Sequence, residues 1–377
     1  MILAGEKKIV YADANASSPI KPIILKEIEN HLKISYGNPS NLHALGQLSK
    51  KILEDSRKII AGSLSISKPK DIIFTSGGTE SNVLGVLGFA KALKPKIRQV
   101  LVSEIEHSSI LGLKDHICQE GLKFELIRVT KDGLVDMNDL KEKLSKEPSL
   151  VSIMFANNET GVIQPIKELD ELIHAGGHFF HCDAVQAFGK VKMELDHSNI
   201  DCLSVSGHKI GALKGIGALY VRDGFDIKPI FGDGSHERSW RSGTENLTGV
   251  WSLGLACDDF NDYSDLEKAK NNFDVELKKE FGVIIAGENS KRLGNTSCVI
   301  FPGSNQDLLL AGLDLHGISA SAGSACKANA SMPSHVLKAM GIEKELLKSV
   351  IRFSFTSDVL PADFDHILST LAKLIKK

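Results

Sequence analysis

From about residue 14 to residue 255, short β-branched and apolar runs alternate with longer segments of helical periodicity. That alternation is the pattern of a mainly parallel sheet wrapped by helices. The apolar runs predict strands over 71–75, 99–103, 150–155, 178–182 and 201–205. Between them the period predicts a helix over 80–93, opened by Gly77-Gly78-Thr79, and another over 166–175, closed by Gly176-Gly177. After Trp251 the texture changes to a charged amphipathic stretch over 258–280, followed by short strand patterns near 282–286 and 296–301. The expected organisation is a large α/β domain over 14–255 and a smaller α+β domain over 256–377, the latter joined by the N-terminal segment 1–13. No internal repeat or low-complexity tract interrupts it.

Composition narrows the function classes. The 377 residues carry 45 Lys+Arg against 47 Asp+Glu, and 42% are apolar. A length of this order supports a large core without disulfide staples. Near-zero charge, with no run of five or more like charges, leaves no electrostatic footprint for nucleic acid or an anionic membrane. No apolar stretch reaches the roughly 20 residues that span a bilayer, and the first residues do not read as a secretion signal. The expected location is the cytoplasm. Cys118, Cys182, Cys202, Cys257, Cys298 and Cys326 are scattered without a C-x-x-C pair, so no metal site is expected.

Candidate chemistry begins at Ser204-Val205-Ser206-Gly207-His208-Lys209, where a lysine follows a strand. In open α/β sheets, ligands bind beyond the carboxyl ends of strands, and a lysine held there can form a Schiff base with a carbonyl cofactor. An isolated lysine of this kind is ordinarily a solvated surface group; its neighbours change that. Asp183 ends another apolar strand, where a buried carboxylate needs a cationic partner such as a protonated pyridine nitrogen. It also reads as an N-cap for a helix starting at Ala184-Val185-Gln186. Phe74-Thr75-Ser76-Gly77-Gly78-Thr79-Glu80 is a strand, a glycine turn and a helix start, which suits a phosphate but matches neither nucleotide-binding glycine motif. Ser206 and His208 offer a hydroxyl and an imidazole to the same anion.

These segments, with Glu106-His107-Ser108, Asn157-Asn158-Glu159-Thr160-Gly161, Arg241-Ser242-Gly243-Thr244 and Gly323-Ser324-Ala325-Cys326, resemble the cysteine desulfurases. These are class V, fold-type I enzymes dependent on pyridoxal 5'-phosphate, and the likeness runs in order from Tyr11 to about Arg352. It implies that Lys209 carries the cofactor and Asp183 partners its ring nitrogen. His107 would stack on the ring and suit proton transfers, and Gln186 would bond the phenolic oxygen. Gly78, Thr79, Ser206 and His208 would hold the phosphate, joined by Thr244 from the neighbouring subunit of a homodimer. Asn158 and Arg352 would face the substrate, Arg352 through a bidentate contact to its carboxylate.

Cys326 selects among class V activities. It lies in a stretch of small residues that reads as a loop, as in the group I desulfurases with a longer loop. The resemblance implies conversion of L-cysteine to L-alanine with a persulfide left on Cys326. The persulfide would pass to an iron–sulfur scaffold or another acceptor protein, with Cys326 the one thiol open to transient iron–sulfur ligation. A selenocysteine lyase and a class V aminotransferase are the alternatives; Cys326 argues against the second. The chain departs from the family pattern in having Ser17-Ser18 for threonines, Asp233 within a usual glycine run, no glycine-arginine pair after Arg352, and no longer tail for a scaffold beyond Lys377.

Overall fold

The computed structural model describes residues 9–195, 198–232, 234, 236–258, 263–323 and 333–375. Its strands, in chain order, are β1 (Val10–Tyr11), β2 (Ile72–Thr75), β3 (Gln99–Ser103), β4 (Lys123–Ile127), β5 (Ser149–Met154), β6 (Phe179–Asp183), β7 (Cys202–Ser206), β8 (Gly217–Val221), β9 (Ile284–Ile285), β10 (Thr296–Ile300), β11 (Ile318–Ser319) and β12 (Val350–Ser354). Seven of them form one sheet in the order β2-β8-β7-β6-β5-β3-β4. β8 runs against β2 and β7, and the other six share one direction. Thr75, Met154, Asp183 and Ser206 therefore end their strands at the same edge.

Burial explains which strands the apolar pattern finds. Every residue of β2, β3, β5 and β7 is buried, as expected where helices cover both faces of a sheet. The pattern does not find β4, an edge strand whose Lys123 and Leu126 are exposed. It also misses β8, since Gly217 reads as loop glycine but opens this strand. A Cβ at Gly217 would lie 2.7 Å from the Gly77 backbone, so glycine is what lets β8 lie against the turn after β2.

Two apolar cores flank the sheet: Phe74, Val151, Ile153 and Leu203 face one, while Ile73, Val100, Val102 and Leu219 face the other. The helix opened at Gly78 runs as Gly78–Val83, a π turn over Leu84–Gly88, and Phe89–Leu93. Ile166–Ala175 is helical as expected. Residues 185–190 form turns rather than the helix anticipated after Asp183.

A second, antiparallel sheet has the order β12-β10-β9. It packs with the helices Ser264–Phe281, Gln306–Leu315 and Pro361–Ile375 around Phe273, Leu313, Phe353 and Ile367. Val10 and Ala12 belong to the same core, and β1 pairs in parallel with β11. The chain from Asp13 onward then crosses to the first sheet: Asn15 accepts at its carbonyl from Gln186 and Lys209, and its N–H donates to Ser354 Oγ. Among the described residues no helix is long and apolar enough to cross a membrane.

Candidate active site

The shared strand edge opens into a cleft of about 220 Å³. Gly78, Thr79, His107, Asn158, Asp183, Gln186, Ser206, His208, Lys209 and Arg352 all line it, so ten residues expected from the sequence meet at one place. Thr244 does not; it lines a separate small cavity with Ser76 and Gly215. Cys326, like residues 324–332 as a whole, lies outside the described residues.

Asp183 is buried at the end of β6. One carboxylate oxygen accepts from Asn82 Nδ2 at 2.7 Å and the other from the Val185 N–H at 2.9 Å. Burial pushes its pKa up, and these donors, with His107 and Lys209 nearby, offset this only in part. Glu106, fully buried, takes the Met154 N–H at 2.7 Å on one oxygen, and among the described residues the other has no hydrogen-bond partner. Burial first, and Asp183 second, hold the Glu106 carboxyl well above the usual range. Two buried carboxyls this close leave room for a cation beside them.

Lys209 closes the single 3-10 turn Gly207–Lys209 that follows β7. Its Nζ donates to the carbonyls of Asn15 at 2.6 Å and Ala16 at 3.0 Å. Asn15 also accepts from Gln186 Nε2 at 3.0 Å, and Lys190 Nζ donates to both Asn15 Oδ1 and Gln186 Oε1 at 3.0 Å. Burial, then Lys209 and Arg352, bring the Lys190 ammonium down to about 7. Burial, then Lys209 and Lys214, bring His208 down to about 4, so its ring is neutral near pH 7.

His107 caps the helix Ser108–Leu111, with its Nδ1 accepting from the Ser109 N–H at 3.1 Å. In the neutral ring the proton therefore sits on Nε2. Arg352, on β12, is buried at 2% exposure. It gives one terminal nitrogen to Asp13 Oδ1 at 2.7 Å and the other to the carbonyls of Asn158 at 2.9 Å and Gly323 at 3.0 Å. Its Nε is buried without an acceptor among the described residues. A substrate carboxylate would meet the N–H groups that these three bonds leave over.

The composition motifs do not reveal Asn15, Asn82, Glu106, Lys190 or His335. Asn82 could have been found from helical spacing, since it lies one turn beyond Gly78 on the same face. Glu106 sits next to His107 in the chain. Asn15 and Lys190 carry no local signal, because their roles depend on where the N-terminal segment crosses.

The residues present fit pyridoxal 5'-phosphate. Ser206 Oγ is buried, lines the cleft and has no partner among the described residues, which is the state of a hydroxyl awaiting an acceptor. Gly77, at φ +150°, has nothing within 4 Å of where a Cβ would stand, so the helix start at Gly78 keeps open space before its N–H groups. Among the described residues Asp183 makes no ion pair within 4 Å, and Lys209 supplies an amine in the same cleft. Among the described residues no cluster of three or more His, Cys, Asp or Glu could hold a metal ion.

Comparison with known proteins agrees with this chemistry. The aminotransferase class-V family model matches residues 10–366. The cysteine desulfurase IscS of Dictyoglomus turgidum is 36% identical, over 98% of this chain and 95% of its own. The same protein from Methanosarcina thermophila is 36% identical over 100% and 94%. Among solved structures, a NifS-like protein from Rickettsia africae superposes with a TM-score of 0.88 at 33% identity, covering 98% of this chain and all of that one. SspA in complex with cysteine gives 0.82 at 30% identity, over 92% and 98%. The chain belongs to the aminotransferase class-V family and, within it, to the pyridoxal-phosphate-dependent cysteine desulfurases.

Proposed function

We propose that the chain converts L-cysteine to L-alanine in this cleft and passes the sulfur to Cys326. The persulfide then supplies an iron–sulfur assembly protein or another acceptor. One juxtaposition carries the reading: the Lys209 amine, the buried Asp183 carboxyl and the open helix start at Gly78 line a single cleft that also contains Arg352 and Asn158.

Bound there, pyridoxal 5'-phosphate supplies an electron sink for the bonds at the substrate Cα. Gly78, Thr79, Ser206 and His208 would hold its phosphate, Gln186 its phenolic oxygen, and His107 its ring face. Asp183 would place an opposite charge beside the ring nitrogen and so favour its protonated form. Lys209 takes the Cα proton, its amine steadied by the Asn15 and Ala16 carbonyls. Arg352 and Asn158 orient the substrate carboxylate. Cys326 attacks the substrate sulfur, forming the S–S bond of the persulfide as the Cβ–S bond breaks.

Thr244 lies in another cavity of the same chain, which supports a homodimer in which it completes a second copy's phosphate site. We place the enzyme in the cytoplasm and divide it into a large domain over 14–255 and a small one over 256–377 joined by 1–13, each with its own sheet. The test is direct. Cofactor-loaded protein given L-cysteine should release alanine, and mass spectrometry should find one added sulfur on the peptide holding Cys326. Cys326→Ser should keep the cofactor and lose the persulfide. Absence of alanine, or sulfur mapped to the exposed Cys118 instead, overturns the reading.

A further inference from the structure

His335 also lines the cleft. It opens the helix His335–Ala339, whose N-cap Ser334 accepts from the Leu337 N–H and donates to Glu159 Oε2 at 2.6 Å. The ring is fixed in turn: Nε2 lies 2.9 Å from the Glu106 carbonyl oxygen. A carbonyl only accepts, so Nε2 carries the proton, and in the neutral ring Nδ1 is left as the acceptor. Among the described residues no group donates to it.

His107 is set in the opposite sense. Its Nδ1 accepts from the Ser109 N–H, so its other nitrogen bears the proton. The cleft thus contains two imidazoles of complementary polarity, each fixed by a backbone group. Several other acceptors in the cleft are already engaged: Glu159 Oε2 by Ser334, the Asn158 carbonyl by Arg352 and Asn15, and both Asp183 oxygens by Asn82 and Val185.

We infer that His335 is a specificity-determining residue whose Nδ1 accepts the hydrogen of the substrate thiol. The inference rests on the reading of the cleft as a cysteine site. A thiol presents one weak S–H donor and a methyl group presents none, so an acceptor held in one tautomer favours cysteine over its own product, alanine. The thiol is a weak donor, so loss of this bond should weaken thiol binding by a few-fold, about two- to fivefold.

The test compares 3-mercaptopropionate with propionate, which differ by the thiol and lack the amine needed for turnover. Their inhibition constants are measured on cofactor-loaded wild type, His335→Phe and His335→Gln. Wild type should bind the thiol acid several-fold tighter. His335→Phe should bring the two acids within about twofold, raise KM for cysteine and leave kcat little changed. His335→Gln, whose amide can donate to the Glu106 carbonyl while its oxygen accepts, should recover most of the preference. A preference that survives in His335→Phe, or equal weakening of both acids, overturns the inference, the latter by showing that the ring only anchors its helix. If wild type makes alanine yet does not distinguish the acids, the inference fails and the desulfurase reading stands; if it makes no alanine, the desulfurase reading fails as well.

Discussion

Strand β7 begins beside Asp201 and ends at Ser206, and its two ends treat buried polarity in opposite ways. Asp201 is fully buried and fully answered: Arg222 pairs with one oxygen, while the Phe180 N–H at 2.8 Å and His174 Nε2 at 3.2 Å meet the other. His174 is paired on its far side with Asp170 at 2.7 Å. At the opposite edge, among the described residues, Ser206 Oγ has no partner, one Glu106 oxygen has none, and Asp183 lies near Glu106 with its pKa raised. A buried polar group without a partner costs free energy in the protein alone. The edge that bears this cost is the edge where a ligand can remove it; the other edge serves stability.

The sharpest way to break this comparison is to neutralise one aspartate at each end. Asp183→Asn removes the charge that we propose faces the ring nitrogen and keeps an oxygen for the Val185 or Asn82 donor. Alanine production should fall by orders of magnitude, while thermal unfolding of the cofactor-free protein should be unchanged or shifted upward. Asp201→Asn should do the reverse. It strands Arg222 and His174 without their shared anion, and breaking a buried ion pair from one side costs roughly 3–5 kcal/mol. Activity per folded molecule should be that of wild type. Denaturant titration together with an alanine assay separates the two. Similar losses of stability in both variants would erase the distinction between the edges.

The same contrast explains what the sequence makes legible. Strands buried on both faces announce themselves, so β2, β3, β5, β6 and β7 lie within a residue of their expected bounds. Groups that end those strands are legible too, because strand ends set the edge: Asp183, Ser206 and Lys209 follow from register alone. Asn15 is not. It reaches the cleft because β1 pairs with β11 some three hundred residues away, a contact with no local periodicity. The answered network at Asp201 is equally silent, since His174, Asp201 and Arg222 are brought together only by packing.

A pH titration sharpens the stabilising side. Burial alone would lower the His174 pKa, but hydrogen bonds to Asp170 and Asp201 outweigh it and raise the ring to about 9 from an ordinary value of 6.5. A folded-state pKa above the unfolded one adds stability that is complete below the unfolded value and lost as pH rises through the folded one. Unfolding free energy should therefore decline between about pH 6.5 and pH 9. His174→Gln should flatten that decline. An unaltered slope in the variant would mean that the imidazole is neutral in the folded protein and that Arg222 alone answers Asp201.

The smallest expected effect tests the unanswered side at its simplest group. Ser206→Ala deletes one buried hydroxyl that has no partner in the protein alone. The cofactor-free variant should be as stable as wild type or slightly more so, because an unsatisfied polar group is gone and a single oxygen leaves little cavity. On the proposal that the hydroxyl's partner is the phosphate, affinity for pyridoxal 5'-phosphate should fall, one hydrogen bond being worth roughly 0.5–1.5 kcal/mol, or about two- to twelvefold in dissociation constant. Ser204→Ala, two residues earlier on β7, is the control. Its hydroxyl already pairs with His181 Nε2 at 2.9 Å, so its loss should lower stability and leave cofactor affinity alone. Opposite signs for two serines on one strand would tie the empty hydrogen-bonding position to the ligand; a loss of apoprotein stability in Ser206→Ala equal to that in Ser204→Ala would show that Ser206 Oγ is satisfied without it.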